Sequence, residues 1–364
     1  MKWLLGILLV VLLVAGGFVL VPSPVDSLAW HPPAPPELDG PLASNSRLQD
    51  ADLLAKGAVY GPEDTAVDRQ GRVYTGTQDG KIVRVWPDGR VETWLEVGGR
   101  PLGMVFDEQG NLIVADAWKG LLSIDPTGRV EVLTASAEGL AFGFTDDVDI
   151  APDGRIYFSD ASARFNQPDY RMDLLEMRPH GRLLRYDPAS GETDVLLSSL
   201  NFANGVAVSP EGDYLLVNET WKYRILKYWL EGPNQGESEV FADNLPGFPD
   251  NLAVDGAGRY WVAFPSLRND QIDSLHPYPW LKNQIAKLPE SMQPPVKPYG
   301  MVAALDAEGN ILASLHDPSG NHLQEITSVN PHDGFLYFGS LHNDRIGRLP
   351  LSAIPQLGIR VSDR

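Results

Sequence analysis

Apolar and polar positions alternate along this chain in short runs, and one arrangement of them recurs six times. In residues 245–264 (LPGFPDNLAVDGAGRYWVAF) a Pro/Gly-rich approach leads to the polar pair Asp250 and Asn251. A brief apolar run follows, and a glycine-containing turn then leads to Arg259-Tyr260-Trp261-Val262. Two short strands joined by a tight turn account for that pattern. The same frame occupies residues 62–74, 101–113, 145–158, 203–217 and 325–338, with turn glycines at Gly71, Gly110, Gly154, Gly212, Gly258 and Gly334. Their spacings are 39, 44, 58, 46 and 76 residues. Strand-rich units repeating every 40–50 residues or so predict a β-propeller.

Each frame but the last is followed by a second strand pair, at residues 81–95, 120–133, 181–197, 223–241 and 299–315. The sixth frame has only residues 344–351 after it, so its outer strand is expected from upstream, at residues 47–56. That arrangement closes the ring by joining the two ends of the chain and leaves only protected edges. The fold class is therefore all-β, a six-bladed β-propeller over residues 46–355 with a tail at 356–364. Two intervals are long because of insertions at residues 161–180 and 265–298, the second with a short helix near 278–287. Insertions of this size in a compact repeat fold point to a cover over the tunnel mouth, with a second membrane contact through Trp280 and Leu281 as the less favoured reading.

Residues 4–21 (LLGILLVVLLVAGGFVLV) carry no charge and follow Lys2. As a helix they reach about 27 Å, close to the thickness of a bilayer's hydrocarbon core. A cleaved signal peptide competes with this reading, but no small-x-small site follows the apolar run. The expectation is an N-terminal transmembrane helix (residues 1–22), single-pass, with the propeller on the extracytoplasmic side (periplasm or lumen). Residues 23–45 are Pro-rich and read as an extended tether.

With no cysteine in 364 residues, disulfides and thiolate chemistry are excluded. A formal charge of −19 argues against nucleic acid or anionic lipid as a main partner. Candidate chemistry comes from the fold. The first strand of each blade lines the tunnel, so residues entering that strand converge on the axis. Eight residues before each turn glycine lie Glu63, Leu102, Asp146, Asn204, Asp250 and Ile326, with Asp64, Asp147 and Asn251 one place further on. Asp, Asn and Glu before a strand are also ordinary turn formers. That explains any one of them but not four arriving at one hub, where carboxylates repel unless a cation sits between them. Hard oxygen donors without imidazole or thiolate suit Ca²⁺ best, another divalent cation less well.

The segments ADAWKGL (115–121), RLLRYDP (182–188), Asn204-Gly205-Val206, PGFPDN (246–251), Leu315-His316-Asp317-Pro318 and His332-Asp333-Gly334 resemble the strictosidine synthase-like, or adipocyte plasma membrane-associated, branch of the calcium-dependent phosphotriesterase superfamily. That superfamily of six-bladed propellers also holds gluconolactonases and paraoxonases, and the likeness runs from about Ala51 to Leu351. It implies calcium ligands at Glu63, Asp146, Asn204 and Asp250, with Asn251 as a fifth candidate. It also implies that Asp250 is the catalytic base or nucleophile. Asp146 stands where relatives commonly have asparagine, and Leu102 where paraoxonase-like members place a histidine, so dyad chemistry is not expected. The plant synthases use a sixth-blade glutamate for an amine–aldehyde condensation; Glu325 and Thr327 compete for that place. The leading expectation is a membrane-anchored, calcium-dependent hydrolase of small lactones or aryl esters. Its rivals are a non-catalytic calcium-stabilised binding or scaffold propeller and, less favoured, a condensing enzyme. His316, His332 and His342 are expected to be structural, with His342 a candidate pocket residue.

Overall fold

Six four-stranded antiparallel sheets are arranged around one axis in the computed structural model, which describes residues 3–5, 16–294 and 296–357. The inner strands are Thr65–Val67, Pro101–Phe106, Thr145–Ile150, Ala203–Val208, Leu252–Val254 and Val329–His332. In blades one to five the four strands run consecutively outward. In the sixth, the outermost strand is Asp52–Leu54, paired antiparallel with Ile346–Pro350, so the upstream segment closes the ring. Each blade buries both faces against its neighbours. Fully buried side chains such as Trp261, Phe158, Phe338 and Leu112 fill these sandwiches.

All inner strands start at the same end of the tunnel and run toward a turn at the far end. The chain returns by the second strand, so the connections between second and third strands lie back at the near end. Both insertions occupy such connections, in blades three and five. The first carries the helix Tyr170–Glu176 and the second the helices Asp270–Leu275 and Pro279–Ile285. Together they form a lid, tied by Arg171, which pairs with Glu290 at 3.0 Å and donates to the Pro294 carbonyl at 2.6 Å.

The Pro-rich segment is extended, but it is a docked strap and not a free tether. Leu28 N donates to Glu176 O at 2.8 Å and Trp30 N to His276 O at 3.1 Å. The buried Lys282 reaches Leu28 O at 2.7 Å. Val25 packs between the lid helices with Leu175 and Ala286. Composition announces the extension; the docking comes from backbone groups that meet lid partners, which a sequence pattern does not encode. The anchor expected at residues 4–21 falls largely outside the described residues, among which no helix is long and apolar enough to cross a membrane.

Candidate active site at the tunnel mouth

The lid end of the tunnel holds a cavity of about 140 Å³. Its floor is made by Glu63, Leu102, Asp146, Asn204, Asp250 and Thr327, one residue from each blade. In three blades a β-bulge turns that residue toward the axis. Register shifts fall between Pro101 and Met104, between Thr145 and Val148, and between Ala203 and Val206. Each doubles two residues of the inner strand against one partner and re-aims a side chain, a recurrent device beside functional sites.

Five of the six expected hub positions are on this floor; Ile326 is not. It is fully buried in the core with Val329 and Leu336, and Thr327 takes its place. The cause is the turn. Asp333 and Gly334 form a two-residue hairpin at φ 45° and 79°, with His332 paired directly to Phe335. The first blade's loop is one residue longer, closed by Asp68 N to Arg72 O at 3.0 Å, so counting eight back oversteps by one in the sixth blade. Asn251 does not line the cavity. It lies behind Glu63, donating to Oε1 at 3.4 Å.

The floor is short of positive charge. Burial, and then the neighbouring Asp250, Asp146 and Asp64, push the Glu63 carboxyl well above the usual range. Asp146 moves the same way through burial and then Asp250 and Asp147. Burial pushes Asp250 up to about 7, against the hydrogen bond from Asn204. The positive group facing them is Arg100, whose side chain is buried and spends one N–H on Gly61 O at 3.2 Å. Nε and Nη2 of Arg100 have no partner, nor have Glu63 Oε2, Asn204 Oδ1 and Asn251 Oδ1.

Buried unpartnered oxygens among converging carboxyls fit a hard cation. Counting His, Asp and Glu alone, no group of three among the described residues is arranged to hold an ion. The unpartnered Asn204 Oδ1 is a further oxygen donor on the same floor, outside that count.

Backbone contacts fix the floor. Thr327 Oγ1 donates to Glu63 O at 2.6 Å, Asn251 N to Thr327 O at 2.9 Å, and Gly205 N to Asp250 O at 3.2 Å. A Cβ on Gly205 would meet Asp250 O at 2.4 Å and Leu252 N at 2.6 Å, both backbone atoms that cannot swing aside. Gly205→Ala is expected to cost about 1–3 kcal/mol, as overpacking does. It should weaken cation binding in parallel, because the displaced backbone carries Asp250. Urea unfolding and calorimetric titration check this; an unchanged affinity would separate the packing from the site.

The walls are apolar: Phe144, Phe202, Trp221 and Phe248 from the blades, Tyr170, Leu174 and Ile272 from the lid. Phe202 and Trp221 lie with ring centroids 4.4 Å apart. Phe144, Phe202 and Trp221 sit in connections outside the repeated frame, and Phe248 in the Pro/Gly-rich approach to its fifth copy, where the pattern marks no side chain for the axis; the length of the insertions hinted only at the lid residues. Glu325 reaches the rim, hydrogen-bonded to His342. His316 is a satisfied core imidazole, bonded to Tyr299 at 2.9 Å and Ser314 at 2.8 Å and kept neutral by burial.

Solved structures of other proteins share this six-bladed propeller fold. The solved structure of a gluconolactonase from Xanthomonas campestris overlays with a TM-score of 0.62 at 19% identity, covering 91% of this chain and 99% of that one. A calcium-binding regucalcin from Agrobacterium tumefaciens overlays at 0.57 with 15% identity, covering 82% and 90%. Both likenesses establish the shared fold. The family models for strictosidine synthase and for the strictosidine synthase-like N-terminal region match residues 146–233 and 40–85. The adipocyte plasma membrane-associated protein of Rattus norvegicus is 36% identical over 93% of this chain and 96% of its own length. The strictosidine synthase-like 6 protein of Arabidopsis thaliana is 38% identical over 91% and 89%. The chain belongs to this strictosidine synthase-like family, which includes the adipocyte plasma membrane-associated proteins.

Proposed function

We propose that the chain is a divalent-cation-dependent hydrolase of small lactones or aryl esters, held at a membrane by its apolar amino-terminal segment. One observation carries the reading: oxygen donors from four blades meet on the floor of a cavity whose walls are aromatic. Glu63, Asp146, Asn204 and Asp250 would hold the ion, with Asn251 supporting Glu63 from behind. Ca²⁺ is favoured because the donors are all hard oxygens. The regucalcin neighbour, named as calcium-binding, supports that choice, and the gluconolactonase neighbour supports lactone hydrolysis. The name of the rat relative supports membrane association.

A bound divalent cation supplies electrophilic assistance to a carbonyl oxygen and counter-charge for the oxyanion that develops there. Asp250, on the same floor, is the group that attacks the carbonyl carbon or takes a proton from an attacking water. Asn204, bonded to it, holds the carboxylate in orientation. Phe202, Trp221 and Phe248 exclude bulk water and seat the apolar part of the substrate. Leu102 offers no base from the second blade, and Glu325 is engaged by His342. Both features favour a single-carboxylate hydrolysis over a histidine dyad or a condensation.

The test is turnover of a lactone and phenyl ester panel by the full-length protein, before and after chelation and again after calcium is restored. Turnover that disappears with chelation and returns with calcium is expected. A folded, calcium-loaded protein that turns over nothing in the panel would replace the enzyme with a binding propeller stabilised by its ion.

A further inference from the structure

The apolar amino-terminal segment meets the body of the protein at the lid. Lys287, just after the helix Pro279–Ile285, donates its ammonium to the carbonyls of Phe18 and Val19, both at 3.2 Å. It also lies 5.4 Å from the centre of the Phe18 ring. From there the strap turns back over the lid helices. Phe18 and Val19, in the described end of the uncharged run, therefore meet the molecule at the same end on which the cavity opens.

That end also displays its large apolar side chains to solvent. Tyr278 is 61% exposed, Trp280 63% and Met292 65%, with Leu281 beside them. Val296, 43% exposed, is at once part of this face and part of the cavity lining. Lone exposed apolar residues need no explanation, but a group containing Trp and Tyr, continuous with a cavity rim, does. Trp and Tyr are the residues that settle at the headgroup level of a bilayer, one side apolar and the other wet. The exposed Lys297 follows in the same segment, with a stem long enough to keep its charge in water.

The opposite end of the propeller is its chemical contrast. Its exposed turns carry Asp88, Glu108, Asp153, Glu211, Glu308 and Asp333, with the exposed Arg69, Arg90, Arg129 and Arg155 among them. An acidic end avoids a lipid surface, whereas the lid end offers apolar contact and the point of attachment.

We propose that the lid face seats on a lipid bilayer, with Tyr278, Trp280, Leu281 and Met292 in the interfacial layer. The cavity then opens toward the membrane. Resting on the hydrolase reading above, the substrate class narrows to lipophilic lactones or esters that partition into lipid and enter past Val296. Contact is apolar and weakly dependent on salt, as suits a chain of net charge −19.

Because the chain has no cysteine, a nitroxide can be attached at one chosen place. The test is the full-length protein in phosphatidylcholine nanodiscs, labelled singly at Trp280→Cys, Met292→Cys or Gln109→Cys, the last on an acidic-end turn. Accessibility to oxygen and to a water-soluble nickel chelate is read by power saturation. Labels at 280 and 292 are expected to favour oxygen, and the label at 109 to favour nickel. Nickel access at all three overturns the proposal, and so does shielding of 280 and 292 from both reagents, which would mean a protein covers that face. A second measurement addresses the substrate: KM in nanodiscs is expected to fall about fourfold for each methylene added to the lactone's tail. The double change Trp280→Ser, Leu281→Ser should raise KM for long tails and leave that for short ones unchanged; a KM indifferent to tail length overturns the substrate clause. Lipid-facing labels on a protein without any turnover would leave the seating intact and remove the hydrolase reading instead.

Discussion

Replacing Asp250 with asparagine is expected to lower kcat/KM on any lactone that the protein turns over by at least about 10²–10³-fold, the range for losing one charge stabiliser in a water-excluded site. The substitution is nearly isosteric, and the backbone at this position is held independently, by Asp250 N to Ala263 O at 2.9 Å and by Gly205 N to Asp250 O at 3.2 Å. The fold should therefore persist. Indeed the cation-free variant should melt at a higher temperature than the cation-free parent. Asp250 is the largest charged contributor to the repulsion felt by both Glu63 and Asp146, so neutralising it relieves the other two. Calcium should in turn raise the melting temperature of the variant less than that of the parent. Loss of turnover, gain of cation-free stability and a weaker response to calcium form a joint signature that a merely structural aspartate would not give. Undiminished activity in the variant would remove Asp250 from the chemistry.

How much of this hub was legible in the sequence depends on where each residue sits relative to the turn glycines. Glu63, Asp146, Asn204 and Asp250 stand at a fixed distance before their turn glycines, the extra residue of the fourth blade's turn falling after Gly212, so counting finds them. The sixth position was misplaced onto Ile326 because the Asp333-Gly334 turn is one residue shorter. A positive-φ pair of this kind is visible in sequence once a two-residue hairpin is considered. Arg100 escaped because it precedes its inner strand in Gly98-Gly99-Arg100, which reads as an ordinary loop. Its burial follows from the packing of the first two blades. The aromatic walls escaped for a different reason. Phe144, Phe202, Trp221 and Phe248 lie in connections, where no period constrains which side chain faces the axis. The strap shows the limit of composition: proline dictates extension, and only the complementary lid groups decide that the extended chain lies down.

The stability of the cation-free protein should depend on pH in a direction opposite to that of an ordinary salt-bridged carboxylate. Asp250 holds its proton in the folded state up to about pH 7, whereas in the unfolded chain an aspartate releases it near pH 4. Between those values the folded state binds a proton that the unfolded state does not, so stability falls as pH rises through that window. Glu63 and Asp146 shift in the same direction and add to the effect. From Asp250 alone the loss between pH 4 and pH 8 is on the order of 4 kcal/mol, each unit of displacement being worth about 1.4 kcal/mol. Calcium acts on the deprotonated hub, so at pH 8 a thousandfold excess over Kd is expected to return about 4 kcal/mol. At pH 5 protons already neutralise the site and compete with the ion, so the same calcium should return much less. The measurement is the gap in melting temperature between calcium-loaded and chelated protein, taken at pH 5, 6, 7 and 8. Other acid-sensitive groups affect both samples alike and cancel from that gap. It is expected to widen steadily toward pH 8 and to widen less in Asp250→Asn, where Glu63 and Asp146 still titrate. A gap of the same size at every pH would mean that the ion binds away from these carboxyls, and the hub would then be a packing feature of the tunnel, not its reactive centre.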